Sequence, residues 1–520
     1  MPVKIILTLL FGVLLGLSWP TAGLSPLLFV ALVPLLWLIE STKNDGFWAF
    51  TLRVFLGFFV WNAIATWWLW NATVFGMFFA MFVNCCMMTL VILLWRRIDS
   101  KLGSKAGFIF LPLAWICFEK LHLNWGFSWP WLNLGNGFAA NPDWVQWYEY
   151  TGVFGGTLWI WVVNISLYHA TKHYVVKKKL DKKLIQPLAL IFIPLGLSFL
   201  IKSQFEQKTE ETLTVTVVQP NIDPYTEKYD LTNQEQYEIL LEQIESELSE
   251  NPDVIISPET YFSEGAGTNL SYIEESKLYQ DLLYYANTNN TQLLNGIQFY
   301  KTYAEKDRTK TANKLNNGTW ADFYNSAFLT DSKGVQVYHK SKLVAGVETL
   351  PFRDVIEPLL GNVMLDFGGT VLTRATQAER EAFALYNGIK ISPVICYESV
   401  YGEFVTGFVR NGAEVLAIMT NDAWWGDTAG YKQHMAYASL RAIETRRAVV
   451  RSANTGISGF ITPLGEVTSK LAYNTKNVLT AAVYPQSAIT LYVRYGDYIF
   501  RLGGFVAGLM LLFSFSRRKN

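Results

Sequence analysis

Charge is what this 520-residue sequence has least of: Asp, Glu, Lys and Arg make up 17% of it, against roughly 25% in a soluble average. Its 43 basic and 43 acidic residues cancel, so the total carries no footprint of a nucleic-acid partner. Histidine is scarcer still, with five residues at 122, 169, 173, 339 and 434, too few for a histidine-rich metal centre. Four cysteines, at 85, 86, 117 and 396, exclude a disulfide scaffold. No repeat or low-complexity segment is present, and neither disorder nor a coiled coil can be the main architecture. What is abundant is apolar surface: 51% hydrophobic residues, with Trp 19, Tyr 26 and Phe 34, a composition suited to membrane interfaces.

The apolar residues are gathered at 5–19, 24–39, 50–70, 74–94, 106–121, 153–171 and 184–201, with one more run at about 498–516. Several match the roughly 20 residues that cross a bilayer, whereas a soluble chain would bury only one or two such runs as core helices. Basic residues set the orientation. If residue 1 faces the cytoplasm and each run crosses once, Lys4, Lys43, Arg53, Arg96, Arg97, Lys101, Lys105, Lys172, Lys177, Lys178, Lys179, Lys182 and Lys183 all fall on the cytoplasmic side. The opposite connections, 20–23, 71–73 and 122–152, hold no Lys or Arg, as the positive-inside rule requires. The first run leads through Ser18, Trp19 and Pro20 into another, so it reads as a retained anchor rather than a cleaved signal. Expected domains are a seven-span membrane part (1–201), an exported part (202–490), and an eighth span with a cytoplasmic tail ending in Arg517, Arg518 and Lys519 (491–520). In a two-membrane bacterium this is a multi-pass inner-membrane protein with a periplasmic domain and both termini cytoplasmic. The connection 122–152, with Trp125, Trp129, Trp131, Trp144 and Trp147, reads either as an aromatic belt or as a membrane-surface platform for lipid tails.

The exported part alternates strand-like and helix-like segments. LTVTVVQPNI (213–222), DVIISPE (253–259), TQLLNGIQFY (291–300), KISPVICYE (390–398) and AEVLAIMTND (413–422) read as strands. Segments 232–249, with Thr232 and Glu235 as a capping pair, 271–288 and 431–448 read as helices. ADFYNSAFLTD and VQVYHKSKL form a hairpin about Ser332–Gly334, and 301–319 is a polar excursion. A layered α/β domain follows.

Cys396 is the single cysteine of this part and stands at a strand end, where α/β folds expose reactive groups; the bland alternative is an inert buried thiol. Its proton acceptor is open at this point. His339 and His434 are the available imidazoles, and Glu259, following VIISP at another strand end, is a carboxylate that can serve as base. Lys340, after VQVYH, can neutralise an oxyanion. Taken singly, the last two are as easily a loop glutamate and a hairpin lysine. Cys85, Cys86 and Cys117 lie in apolar runs, where packing explains them.

ETYFSEG around Glu259, YHKSKL around Lys340 and ICYES around Cys396 together resemble the Glu–Lys–Cys sites of the nitrilase superfamily. With seven runs before the domain and one after, the chain is similar to the membrane-embedded apolipoprotein N-acyltransferases over essentially its full length, including TNDAWWGDTAGYKQHMAYASLRAIETRRAVVRSANTG (420–456). The resemblance implies a nitrilase-like αββα sandwich outside the cytoplasm, with Cys396 as nucleophile, Glu259 as base and Lys340 as oxyanion stabiliser. It also implies Glu348 as a further glutamate, Tyr397 and Glu398 as the residues flanking the nucleophile, and Asn421 and Trp425 as pocket residues. Where the family has Pro-Phe-Gly-Glu, this chain reads Ala345, Gly346, Val347, Glu348, and the family tryptophan near the domain start has only Tyr229 or Tyr225 near its place. The implied reaction moves an acyl chain from a phospholipid, through a cysteine thioester, to the α-amine of a diacylated lipoprotein, with the bilayer as its setting and neither metal nor organic cofactor. A membrane-tethered amidase, a non-catalytic lipid-binding protein and a transporter are the alternatives, the last disfavoured by the lack of polar groups in the runs between 50 and 121.

Overall fold

The computed structural model describes residues 2–178, 185–207, 211–224, 227–228, 230–247, 252–352 and 373–516. Tyr225 and Tyr229, and the basic residues at 179, 182, 183 and 517–519, lie outside the described residues. The chain divides into two units: one comprises Met1–Trp70, Val74–Phe205 and Tyr495–Asn520, the other Asn71–Thr73 and Glu206–Arg494.

The first unit is helical. Phe47–Asn71, Val74–Leu102, Val153–Lys177, Ile185–Ser203 and Tyr498–Ser516 are long and apolar enough to cross a bilayer, while Pro2–Leu17 and Ser25–Ser41 are shorter apolar helices. A helix is the natural form of such runs because it satisfies every backbone group within the segment. The second apolar run is not one continuous helix. It breaks into Ser25–Phe29 and Val33–Ser41, each with a proline in its first two positions, where proline starts helices readily and cannot continue one. Asn164 repairs the break: its Oδ1 accepts from Leu32 N at 2.9 Å and its Nδ2 donates to Leu28 O at 2.8 Å.

Within the tryptophan-rich connection, Trp125, Trp129 and Trp144 are partly exposed, whereas the middle of the stretch is buried. Residues 130–139 fold as short 3-10 turns whose side chains are buried, Trp131 fully. Glycine permits this close packing, since a Cβ on Gly135 would come 2.0 Å from Val153 O and one on Gly156 would come 1.8 Å from the Tyr148 hydroxyl. Buried Glu119 anchors the stretch, its Oε1 accepting from Trp115 Nε1 (3.0 Å) and Leu134 N (2.7 Å) and its Oε2 from Thr157 Oγ1 (2.7 Å).

The second unit holds two sheets. Its strands are β1 (Leu213–Gln219), β2 (Val254–Ile256), β3 (Thr268–Asn269), β4 (Gln292–Tyr303), β5 (Asn313–Lys314), β6 (Trp320–Leu329), β7 (Gln336–His339), β8 (Phe383–Ala384), β9 (Lys390–Ile395), β10 (Val415–Thr420), β11 (Ala448–Ala453), β12 (Gly459–Ile461), β13 (Val467–Lys470) and β14 (Asn477–Val483). One sheet runs β14-β1-β2-β4-β6-β5, with β3 on β4 and β7 on β6; the other runs β13-β12-β11-β10-β9-β8. The near-continuous apolar strands β2 and β10 are central and parallel to their neighbours, as strands covered on both faces must be. Val218, Ile255 and Leu293 of the first sheet share a core with Leu240 and Ile244 of helix Asn233–Glu247 and Leu282 and Ala286 of helix Lys277–Asn289. Helices Gly402–Arg410 and Ala429–Thr445 accompany the second sheet. This is the nitrilase-like αββα arrangement.

Local chemistry sets the element ends. Thr232 and Glu235 form the expected reciprocal cap, with Thr232 N to Glu235 Oε2 at 2.7 Å and Glu235 N to Thr232 Oγ1 at 3.2 Å. The helix expected from residue 271 begins instead at Lys277, because Ser276 Oγ caps Tyr279 N at 3.2 Å. The 301–319 excursion is partly strand: β4 continues to Tyr303, and β5 pairs with β6. Its outer part is pinned by the hydroxyls of Thr309 and Thr311, which donate to the Asp322 carboxylate at 2.8 Å each.

Candidate active site

Four residues at strand ends converge in the second unit, Asn421 through its backbone N–H and the others through their side chains. Glu259 follows β2, Lys340 follows β7, Cys396 follows β9 and Asn421 follows β10. Lys340 Nζ lies 2.8 Å from Glu259 Oε1 and 2.9 Å from Glu348 Oε2. Asn325, inside β6, closes the ring by donating Nδ2 to Glu259 Oε1 at 2.8 Å and to Glu348 Oε1 at 3.0 Å. The second oxygen of Glu259 accepts from Asn421 N at 3.2 Å. Lys340 is 2% exposed and Glu259 6%, so this is a buried charge cluster whose members depend on one another.

Burial works against the Lys340 ammonium, but Glu259, Glu348 and the neighbouring Cys396 outweigh it and hold the group above the ordinary lysine range. Burial would likewise raise Glu348; Lys340, Arg374 and the Val344 amide reverse that and hold it below the usual carboxylate value. The resemblance implied Glu348 as a further glutamate, and the altered Ala-Gly-Val sequence before it still delivers its carboxylate to Lys340.

Cys396 has a positive φ of 50°, rare for a side chain other than Gly or Asn and typical of functional turns. It opens the 3-10 turn Cys396–Val400 directly from β9. Burial, then Glu259 and Asp422, push its thiol upward, with Lys340 and Thr420 pulling the other way. The resting group is therefore a thiol, and a reaction through sulfur needs a base at hand. Glu259 and Lys340 are both near enough to act on its ionisation.

Glu398 ties the Cys396 turn to the Lys340 strand end. Tyr338 Oη donates to its Oε1 at 2.6 Å and Ser341 N at 2.7 Å, while Ile395 N donates to Oε2 at 2.8 Å. Burial pushes its carboxyl up to about 7 against those three donors. Tyr397 is buried, its ring edge-on to Tyr401 at 5.2 Å. Trp425 is half-buried, edge-on to His434 at 5.5 Å.

The two histidines have other surroundings. His339 Nδ1 pairs with Ser326 Oγ at 2.7 Å, and its ring stacks on Tyr324 at 4.2 Å. His434 Nε2 reaches Ser399 Oγ at 2.9 Å and the Cys396 carbonyl at 3.3 Å, and its Nδ1 faces Asp422 Oδ1 at 3.1 Å. Asp422 is paired with Arg451 Nη2 at 2.7 Å; burial would raise it, but Arg451 and His434 hold it near 2. This polar group braces the cysteine turn from behind. Asn325 and the Asp422–His434–Arg451 group escaped the reading from sequence. YNS within β6 is the only local signal for Asn325, and although Asp422, His434 and Arg451 all lie in the 420–456 motif, nothing local shows that they meet. Among the described residues no cluster of His, Cys, Asp and Glu suits a metal ion.

Residues 11–166 match the apolipoprotein N-acyltransferase N-terminal domain and residues 214–491 the carbon-nitrogen hydrolase domain. An apolipoprotein N-acyltransferase of Chlorobaculum tepidum is 30% identical over 99% of this chain and 97% of its own length. The chain belongs to the apolipoprotein N-acyltransferase family. Family members with that name from Geobacter metallireducens (26% identical, 95% of this chain and 91% of the relative) and Rickettsia typhi (27%, 95% and 95%) are also similar from end to end. Among solved structures, an amidase from Nesterenkonia sp. overlaps 56% of this chain and 96% of its own at 13% identity, with a TM-score of 0.38, a slight likeness. This protein is an enzyme of the nitrilase superfamily's membrane branch: a lipid-handling catalytic unit joined to a multi-span helical one.

Proposed function

We propose that this enzyme is a phospholipid-to-apolipoprotein N-acyltransferase, with residues 1–201 and 491–520 as its anchor in the inner membrane, residues 202–490 as its periplasmic catalytic part and both termini in the cytoplasm. Cys396 is the nucleophile. Glu259 takes the thiol proton as sulfur attacks the ester carbonyl of a phospholipid, and Lys340 faces the developing oxyanion. The tetrahedral intermediate collapses to a thioester on Cys396, and the departing lysophospholipid alkoxide leaves with the proton from Glu259. The α-amine of an S-diacylglyceryl-cysteine at a lipoprotein N-terminus then attacks the thioester; Glu259 accepts its proton, an amide forms, and the Cys396 sulfur leaves and is reprotonated. Glu348 and Glu398 orient Lys340 and the cysteine turn, and Asn421 and Trp425 line the pocket.

The observation that carries this reading is the meeting of Glu259 and Lys340 at 2.8 Å next to a buried thiol whose ionisation both influence, in a chain that also carries long apolar helices. Both substrates are lipid-anchored. Extracting their chains into water would cost about 0.8 kcal/mol per CH₂, and a catalytic part tethered to the bilayer avoids that step. The test is to incubate the purified full chain with phospholipid labelled in its acyl chains and a diacylated lipopeptide. Labelled amide is the expected product. Labelled free fatty acid with no amide would replace this reading by that of a membrane-tethered hydrolase.

A further inference from the structure

Lys228 is an unexpected residue to find buried. It is 3% exposed, in a polar segment whose composition suggests a solvated loop. Its Nζ donates to the main-chain oxygen of Glu259 at 3.2 Å and to Thr260 Oγ1 at 2.6 Å. A lysine buried this deeply gives up hydration and rotamer freedom, so its contacts must be specific to persist.

The turn it grips is itself strained. Thr260 has a φ of 45°, a left-handed conformation that a β-branched residue strongly disfavours and that survives only where the surroundings over-determine it. The turn is pressed against β4. A Cβ at Gly296 would come 2.1 Å from Pro258 O and 2.7 Å from Thr260 N, so only glycine allows the approach. Phe262 N then pairs with Gly296 O at 3.0 Å. Lys228 holds the same turn and is itself anchored through its backbone: its N donates to Asp223 O at 3.0 Å and its O accepts from Gln236 Nε2 at 3.1 Å. Gln236 Oε1 also accepts from Ser263 N at 3.2 Å, tying helix Asn233–Glu247 to the far end of the same turn.

We infer that Lys228 is a positioning residue for the base: its ammonium clamps the Glu259–Thr260 turn that packs on β4, and Glu259 presents its carboxylate to Cys396 only while that clamp holds. The inference rests on the reading of Glu259 as the base. The charged and titratable groups that act on Lys228 are Glu259, Arg374 and Cys396; burial pushes its ammonium down to about 8, with Glu259 opposing that fall. A neutral amine still offers two protons for the two acceptors, so the clamp outlasts the charge and its loss is felt on both sides of pH 8.

The test uses the full chain in detergent and follows alkylation of the Cys396-containing peptide by iodoacetamide, a readout that needs no phospholipid. Lys228→Met is expected to slow alkylation at pH 7 by about 10-fold or more, within the range of losing a general base, and Lys228→Arg to recover most of the rate. Thr260→Val, which removes one acceptor and keeps the β-branch, slows it by a smaller factor. Because Lys228 acts through Glu259, Lys228→Met/Glu259→Gln alkylates at the rate of Glu259→Gln alone, the non-additivity of coupled residues. Parent-like alkylation in Lys228→Met, or a double variant slower than Glu259→Gln by the full Lys228→Met factor, overturns the clamp. If Lys228→Met fails to fold, Thr260→Val and its double with Glu259→Gln decide in the same way. Parent-like alkylation in Glu259→Gln instead removes the base reading, and the clamp with it.

Discussion

Glu119 in the helical unit and Glu259 in the α/β unit are both buried, and the two are treated differently. In the helical unit, Glu119 is met by an indole N–H, a backbone N–H and a hydroxyl, all neutral. In the α/β unit, Glu259 is met by the ammonium of Lys340, an amide side chain and a backbone N–H. Neutral donors are enough to pin three pieces of chain together: a helix, a loop and the helix that follows. A buried cation does more, since it stabilises negative charge on whatever else enters the same space. The difference separates a structural carboxylate from one equipped for proton transfer.

The sharpest way to break that comparison is at the sulfur. Cys396→Ala is expected to abolish both acyl-enzyme and transfer while the chain still folds and inserts; full transfer by this variant, measured with labelled phospholipid, would end the assignment. Next comes the base. Glu259→Gln keeps the shape and removes the proton acceptor, and acylation is expected to slow by about 10²–10⁴. Glu119→Gln in the other unit is expected to leave Cys396 alkylation unchanged, as the contrast requires.

Lys340→Met removes the cation from between two carboxylates. Breaking a buried pair costs about 3–5 kcal/mol, so thermal unfolding in detergent is expected well below the parent midpoint, with acylation and deacylation both slowed because each passes through a tetrahedral intermediate.

Glu398 offers a pH test within the α/β unit. Its folded value near 7 lies above the ordinary glutamate value of about 4.5. The folded state therefore binds the proton more tightly, and the associated stability is complete below about 4.5 and lost as pH rises through about 7. At most this is about 3 kcal/mol. Unfolding midpoints measured between pH 5 and 8 are expected to fall less steeply in Glu398→Gln than in the parent. The smallest effect belongs to Glu119→Gln, where one donor facing the new NH₂ loses its acceptor, at about 1–3 kcal/mol, seen as a modest drop in the unfolding midpoint of an otherwise active enzyme.

Much of this arrangement is legible in the sequence, and the pattern of what is not has a physical cause. Glu259, Lys340 and Cys396 each follow a strand, yet singly Glu259 and Lys340 read as well as a loop glutamate and a hairpin lysine; the three motifs taken together, as a resemblance, mark them. The Thr232–Glu235 cap and the hairpin between β6 and β7 are read from neighbours in sequence. Asn325 is hidden inside a strand whose alternation accounts for it as well as any catalytic role would, and Lys228 is hidden in a loop that composition assigns to solvent. The Asp422–His434–Arg451 group joins residues from three elements; the 420–456 motif holds all three, but sequence distance hides that they meet. In the helical unit hydropathy finds the apolar runs, yet it cannot show that Pro26 and Pro34 split the second run or that Asn164, more than a hundred residues away, repairs the gap. Nor can an aromatic count distinguish tryptophans that face lipid from Trp131, which is fully buried with its ring against Trp68 and Trp129.

The central claim is that acyl transfer runs through the Cys396 sulfur. It is tested most directly by giving the full-length protein phospholipid labelled in its acyl chains, with no amine acceptor, and weighing the Cys396-containing peptide after a short quench. The account predicts a stoichiometric acyl addition on that peptide, cleaved by neutral hydroxylamine as thioesters are, formed slowly in Glu259→Gln and absent in Cys396→Ala. Lysophospholipid release at the parent rate with an unmodified Cys396 peptide, or undiminished release by Cys396→Ala, would contradict it.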